Sequence, residues 1–470
     1  LQTSSHSTPS TQSTWLHLGA GAFHRAHQSW YLNQLHQLGD TRWSLALGNI
    51  RNSASQATLD QLGRQQGVYT LEVISPDGDI DYHTITAIKK VIPWDANLSQ
   101  LIQIGADPET KLISFTVTEG GYFLKDDGHL DLNHPVIVQE LAEPNTFATV
   151  YGVLVAILRQ RLATQAGPIT LLNCDNLRHN GDCLRTGLNE YIAALGDKAL
   201  AAWCDNAIST PNSMVDRITP QSDEALLERL VEQGIDNDQV PVACEAFSQW
   251  VIEDDFIAGR PELERVGVEF VKNVIPFEEA KIRVLNASHS GIAWAGALLG
   301  AQSIDESLTP QVREWIRNYV AQDVSAALPK GPIDLDEYCK TTLHRFSNAK
   351  VRDTNQRVSS DSIAKLQQFI LPTLKTRYQQ AEVPQATLVL VALWYLFMQR
   401  RAAGTLPFEY QDRAIESVPF ETIFAEQDSL KAFAQSSALM GSLAEHPTFT
   451  EDLRDVVKQV ESTLAESSTS

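Results

Sequence analysis

One run of the chain, Lys281-Ile282-Arg283-Val284-Leu285-Asn286-Ala287-Ser288-His289, carries an amine, a carboxamide and an imidazole. Pro276 suits the first position of a helix, and Glu278 and Glu279 suit its first turn. On an α-helix Lys281, Asn286 and His289 fall within roughly 140° of arc, and the lysine and histidine stand about 12 Å apart along the axis. That is long enough to line a pocket for an extended small molecule. The plain alternatives are a surface lysine paired with Glu278 and a satisfied core histidine.

The chemistry open to this trio is proton transfer at an alcohol. A free lysine has a pKa of ~10.4, so it must be desolvated or face another cation before it can accept a proton near neutrality. Carboxamides donate N–H groups to a developing alkoxide without adding charge. Asn286 can serve so, and Asn176, in Asn173-Cys174-Asp175-Asn176, is a second candidate. His289 can bind a neighbouring hydroxyl with Asp216 fixing its tautomer, although Asp216 can equally pair with Arg217. Glu278, one turn before Lys281, can relay a proton to water.

Oxidising an alcohol also needs a hydride acceptor, and the start of the chain offers a place for one. The strand candidate Trp15 to Leu18 runs into Gly19-Ala20-Gly21-Ala22-Phe23-His24-Arg25-Ala26-His27, followed by helical periodicity from Gln28 to Leu38. Such a Gly-x-Gly turn lets a backbone approach a pyrophosphate, with Gly19, Gly21, Ala22 and Phe23 at the contact. His24 stands where the full dinucleotide fingerprint wants its third glycine. After the strand Trp43 to Leu47, Gly48-Asn49-Ile50-Arg51-Asn52 lacks the acidic residue that would hold an adenosine ribose. Asn49 or Asn52 can bond the 2′-hydroxyl, and Arg51 can face a 2′-phosphate. Residue chemistry leaves NAD and NADP balanced.

Further strands are expected at Tyr69 to Ile74, Tyr82 to Ala87, Leu112 to Val117, Ile169 to Leu172 and Gly267 to Val274, with a crossover helix from Thr149 to Gln160. Thr118 and Glu119, in Thr118-Glu119-Gly120-Gly121-Tyr122, follow one strand and Asn176 follows another. Strand ends in open α/β sheets are where ligands collect. From Pro276 the periodicity is helical, over 277–299, 308–327, 361–378, 384–400 and 428–442. The expected fold is α/β: a disordered leader 1–14, a Rossmann-type domain 15–275, a mostly α-helical domain 276–455 and a flexible tail 456–470.

With 37 basic against 58 acidic residues the formal charge is −21, which argues against a nucleic-acid groove or an anionic membrane surface. No apolar run reaches membrane-spanning length. The cysteines at 174, 183, 204, 244 and 339 show neither a disulfide framework nor metal spacing, so a reducing cytoplasm is expected. His24 and His27 have no evident third partner, and His-Glu-x-x-His is absent. A metal-free reaction is favoured.

The Gly19 to Gln28 run, Thr116-Val117-Thr118-Glu119-Gly120-Gly121-Tyr122, Asn173 to Asn176 and the Lys281 to His289 run resemble the polyol-specific long-chain dehydrogenases, the mannitol dehydrogenase family. The resemblance covers about residues 15 to 455. It implies metal-independent alcohol–ketone interconversion with NAD or NADP. It implies Lys281 as general acid/base, Asn176 and Asn286 as oxyanion donors, His289 at the substrate supported by Asp216, and Glu278 at a proton channel. The family's Arg-Phe-x-Asn-Pro element stands here as Arg345-Phe346-Ser347-Asn348-Ala349, and its substrate-facing cations map onto Arg357 and Lys365. Ser360 stands where mannitol-using relatives place a histidine, which implies a different distal pocket.

Gly48 to Asn52, Gly120 to Tyr122, Val215-Asp216-Arg217-Ile218-Thr219-Pro220 and Trp250-Val251-Ile252-Glu253-Asp254 are most similar to members that interconvert D-arabinitol and D-xylulose with NAD. This similarity favours NAD. D-mannitol and D-fructose are the alternative pair, and reduction of a hexuronate ranks third. The expected partner is a small polyol or ketose, and nothing requires a second chain.

Overall fold

The computed structural model describes residues 12–125, 127–220, 224–351 and 353–467. They form two compact units, one holding the chain to Ile74 and Ile80–Ile275, the other holding Ser75–Asp79 and the chain from Pro276.

In the first unit, β1 (Ser13–Leu18), β2 (Trp43–Gly48), β5 (Ile88–Ile92), β6 (Thr110–Phe115), β7 (Ile169–Asn173) and β8 (Ile208–Ser209) form one sheet in the order β5-β2-β1-β6-β7-β8. Every pairing in it is parallel. Strands buried on both faces need near-continuous apolar runs. Such runs are Leu45-Ala46-Leu47 and Ile169-Thr170-Leu171-Leu172. The order reverses beside β1, so the turns after β1 and β6 sit at the topological switch point. This is the expected Rossmann-type arrangement.

Two smaller sheets complete the unit. One joins β3 (Tyr69–Ile74), β4 (Ile80–Ile85) and β10 (Val242–Glu245), the other β9 (Ser213–Asp216), β11 (Gln249–Glu253) and β12 (Glu269–Val271). The crossover helix Val150–Thr164 begins at a Thr149 side-chain cap. Near its end Arg161 is fully buried, and its guanidinium donates to the carbonyls of Gly105, Asp107, Thr110, Ala166, Gly167 and Pro168 at 2.9–3.2 Å. A buried cation is tolerated here because every N–H has an acceptor.

Several boundaries differ from expectation. Ser13 and Thr14 belong to β1 because their backbones find partners in Trp43 and Ser44, whereas 1–11 lie outside the described residues. The strand expected over 82–87 is shifted to Ile80–Ile85 by its hairpin register with β3. Val117 falls outside β6, and only Glu269–Val271 of the expected 267–274 pairs. Residues 456–467 are not a frayed tail. They continue the helix Phe449–Ser467, in which Leu453, Val456 and Val460 are buried.

The second unit is helical. The helix Gln385–Ala402 is buried nearly all round and packs against Ala287–Leu299 and Phe449–Ser467. That burial is what an apolar helix without a polar face requires. Three expected helices are interrupted by π-helical segments, at Lys281–Asn286, Tyr319–Val324 and Leu366–Ile370.

Candidate active site

In the first unit, Gly19 at the end of β1 has φ +123°, a conformation that side-chain-bearing residues avoid. A Cβ added at Gly21 would meet nothing within 4 Å, so protein packing does not demand that glycine and the space over the turn is open. Both properties fit a dinucleotide drawn close to the backbone. Ala22 and Phe23 open a five-residue helix, Ala22–Ala26, which breaks at His27 before Gln28–Gln37 begins. The single helix expected from Gln28 is thus preceded by a short one.

His24, at the third-glycine position, is fully buried and stacks on His17 with ring centroids 3.4 Å apart. Two flat rings give the close strand–helix approach that a glycine would otherwise give. Nδ1 of His17 lies 2.7 Å from Oγ of Ser114, and Nε2 of His24 lies 3.1 Å from Oγ of Ser29. Burial drives the His17 pKa down to about 3, and burial, then the His17 neighbour, pushes His24 well below its ordinary value. Nε2 of His27 lies 2.9 Å from the Gln249 carbonyl. Among the described residues no group of three His, Cys, Asp or Glu side chains is gathered to hold a metal ion.

After β2, the Asn49 side chain serves its own turn, accepting from the Arg51 N–H at 2.9 Å and donating to the Asn52 carbonyl at 2.6 Å. Asn52 caps the next helical turn at Ser55, and Arg51 is exposed. After β6, Thr118 has φ +68°. The side chain of Glu119 lies outside the described residues. After β7, Asp175 is buried and accepts from the N–H groups of Val117 and Thr118, and Asn176 follows it as an exposed residue. Asp216, which ends β9, is buried.

In the second unit, Lys281 is 7% exposed and Glu278 4%, so the surface-pair alternative for this lysine is overturned. The π segment Lys281–Asn286 changes the geometry foreseen from α-helical phasing. In a turn closed from i to i+5, residue i+5 stands over residue i, so the amine and the Asn286 carboxamide share one face. Sequence periodicity cannot report such a turn.

The carboxylate at the His289 imidazole is Asp353. Its Oδ2 lies 3.0 Å from Nε2, off the line of a good hydrogen bond, while Arg357 grips Oδ1 at 2.6–2.8 Å. Within the second unit the His289 imidazole thus has a carboxylate neighbour of its own. Phe346 stacks on the His289 ring, with the centroids 4.4 Å and the planes 18° apart. Burial, only partly offset by Asp353, lowers the His289 pKa. Burial alone would raise the Asp353 carboxyl, but His289 and Arg357 together hold it below its usual value.

Lys365 donates to the Val358 carbonyl at 2.7 Å, and burial, then the nearby Arg357 charge, lowers its pKa to about 8. Arg357, His289 and Lys365 thus form one cluster around Asp353. The sequence reading did not name Asp353, and it quoted Phe346 only as part of the Arg345 to Ala349 element, without a role. The four-residue spacing from Asp353 to Arg357 was the available sign, since such pairs face each other along a helix or its lead-in.

Residues 13–265 match the mannitol dehydrogenase Rossmann domain, and residues 273–462 match the mannitol dehydrogenase C-terminal domain. The chain is 46% identical to a D-arabinitol 4-dehydrogenase of Klebsiella pneumoniae, with 96% of this chain and 98% of the relative aligned. It is also 46% identical to a D-arabinitol 4-dehydrogenase of Ralstonia nicotianae, over 93% of this chain and 94% of the relative. Among solved structures it resembles the mannitol 2-dehydrogenase of Pseudomonas fluorescens in ternary complex with NAD and D-mannitol. The TM-score is 0.84 at 32% identity, covering 98% of this chain and 94% of that one. These two domain matches cover nearly the whole chain and agree with the fold, so the protein belongs to the mannitol dehydrogenase family.

Proposed function

We propose that this protein is an NAD-dependent polyol dehydrogenase that interconverts D-arabinitol and D-xylulose without a metal. The observation that carries the reading is the 46% identity, over nearly the full length, to two D-arabinitol 4-dehydrogenases. The mannitol 2-dehydrogenase structure stands further away at 32%. The open glycine turn and the switch-point topology support a dinucleotide in the first unit.

When bound, NAD supplies the acceptor for the carbon-bound hydrogen, and the protein must manage the proton and the oxygen. Lys281 takes the hydroxyl proton as general base and returns it in the reverse direction. Asn286, on the same face of the π turn, and Asn176 donate N–H groups to the oxygen as its charge develops. Glu278, buried within one turn of Lys281, passes the proton on toward water. His289, held by Asp353, binds a neighbouring hydroxyl, with Asp216 contributing from the first unit's sequence motif. Arg357 and Lys365 face the remaining hydroxyls. Gly19, Gly21, Ala22, Phe23, Asn49, Arg51, Thr118 and Glu119 make the cofactor region.

Five free cysteines suit a reducing cytoplasm, and among the described residues no helix is long and apolar enough to cross a membrane. The partner on this reading is a small polyol or ketose, and the reaction as drawn requires no second chain. Oxidation of D-mannitol to D-fructose is the second reading, favoured by the solved ternary complex with D-mannitol. NADH formation measured with D-arabinitol, D-mannitol, D-sorbitol and D-mannonate decides between them. D-arabinitol is expected to give the highest kcat/KM. A clear preference for D-mannitol supports the second reading, and NAD binding without turnover on any of them argues for a nucleotide sensor.

A further inference from the structure

Thr118 is a β-branched residue at φ +68°, ψ 157°, a conformation that such residues almost never take without being held. What holds it is one carboxylate. Oδ1 of Asp175 accepts the Thr118 N–H at 2.9 Å, and Oδ2 accepts the Val117 N–H at 2.8 Å and the Tyr122 hydroxyl. Two consecutive backbone N–H groups turned toward one point form an anion cradle. Here the anion is a side chain of the same chain, and Asp175 is only 7% exposed.

The carboxylate itself is fixed from behind. The Asp175 N–H donates to Oδ1 of Asn173 at 2.9 Å, and the Tyr122 hydroxyl reaches that same oxygen at 2.9 Å. Nδ2 of Asn180 donates to the carbonyls of Asn173, Asp175 and Ser213 at 2.9–3.1 Å, and its Oδ1 accepts the Ser213 N–H at 2.9 Å. Tyr122, Asn173 and Asn180 are fully buried. The turn after β6 and the turn after β7 are therefore tied through Asp175, whose next residue is Asn176.

We infer that Asp175 is a positioning residue that clamps these two turns, so that the strained Thr118 backbone and the Asn176 amide are set together by a single carboxylate. The inference rests on the proposed reading of Thr118 at the cofactor and Asn176 at the reacting oxygen. It goes beyond that reading in assigning the geometry of both to a residue that touches neither ligand. A clamp of this kind makes cofactor affinity depend on strain at a residue whose own side chain need make no contact.

The strain supplies the test, because glycine adopts φ +68° freely and so needs no clamp. NAD affinity is measured by calorimetry for wild type, Asp175→Ala, Thr118→Gly and the double variant, with hydrogen exchange followed over residues 116–122. Asp175→Ala is expected to weaken NAD binding by roughly tenfold or more, as for loss of charge-assisted hydrogen bonds, and to lose protection in that segment. Thr118→Gly alone sets the reference for the double variant, and beside glycine Asp175→Ala is expected to weaken NAD binding far less than it does beside threonine.

Tyr122→Phe removes one of the three donors, and it gives a smaller loss of the same kind should Asp175→Ala fail to fold. NAD affinity within about twofold of wild type in folded Asp175→Ala overturns the inference, as does an equal effect of Thr118→Gly in both backgrounds. Wild-type protein that binds no NAD at all refutes the functional reading instead, and the exchange data still report on the clamp.

Discussion

Nε2 of His289 stands 3.0 Å from Oδ2 of Asp353, and the other oxygen of that carboxylate is held by Arg357. The imidazole is thus oriented by a chain of two charged groups from its own unit. Burial lowers the histidine pKa, so near neutrality the ring is uncharged, and a proton on Nε2 facing Asp353 leaves Nδ1 to accept from a hydroxyl. Asp353→Asn keeps the shape and removes the charge. It is expected to raise KM for the polyol roughly tenfold, with NAD affinity unchanged, as steady-state kinetics and calorimetry would show. A fall in NAD affinity with unaltered polyol KM would contradict this role.

Asn286 and Asn176 carry the oxyanion assignment. Removing either carboxamide, as in Asn286→Ala or Asn176→Ala, is expected to cost about 2–4 kcal/mol of transition-state stabilisation, read from kcat/KM. The two losses are expected to combine to less than their sum, because on the proposed reading both amides serve one oxygen.

The stacked His17 and His24 make the fold acid-sensitive. Both imidazoles have folded pKa values below the ordinary 6.5, His17 at about 3, so the unfolded chain binds more protons in between. Their contribution is complete above pH 6.5 and is lost as pH falls from there toward 3. The slope is about 1.4 kcal/mol per pH unit for each ring. Urea unfolding at pH 7, 6 and 5 would measure it. His24→Phe keeps a stacked ring and removes one titrating group, so its stability is expected to fall less steeply with acid.

Arg161 holds six backbone carbonyls where the ends of several elements meet. Arg161→Met fills most of the volume but leaves those oxygens without donors. A destabilisation of about 3 kcal/mol or more is expected in urea unfolding, with the activity of the remaining folded protein retained.

Periodicity and glycine placement made the parallel sheet legible, because buried parallel strands read as apolar runs between turn residues. They missed β5 and β8–β11. Ile88-Lys89-Lys90-Val91-Ile92 carries two exposed lysines in its middle, and β8 is only two residues long. The three π segments were invisible for a related reason, since one extra residue in a turn leaves composition and local pattern almost unchanged. Lys281, Asn286 and His289 were readable as one set because they share a single short run. Asp353 and Asp175 were not, since each acts on atoms distant in sequence: a ring 64 positions away for one, and backbone N–H groups 57 and 58 positions away for the other.

The most direct test is NADH formation from D-arabinitol by wild type and Lys281→Ala, with NAD binding measured on the same samples. The account predicts steady turnover by wild type. It predicts near-wild-type NAD affinity in the variant, with kcat reduced by roughly 10²–10⁴-fold, the usual contribution of a general base. Turnover of D-arabinitol by Lys281→Ala at the wild-type rate would contradict it.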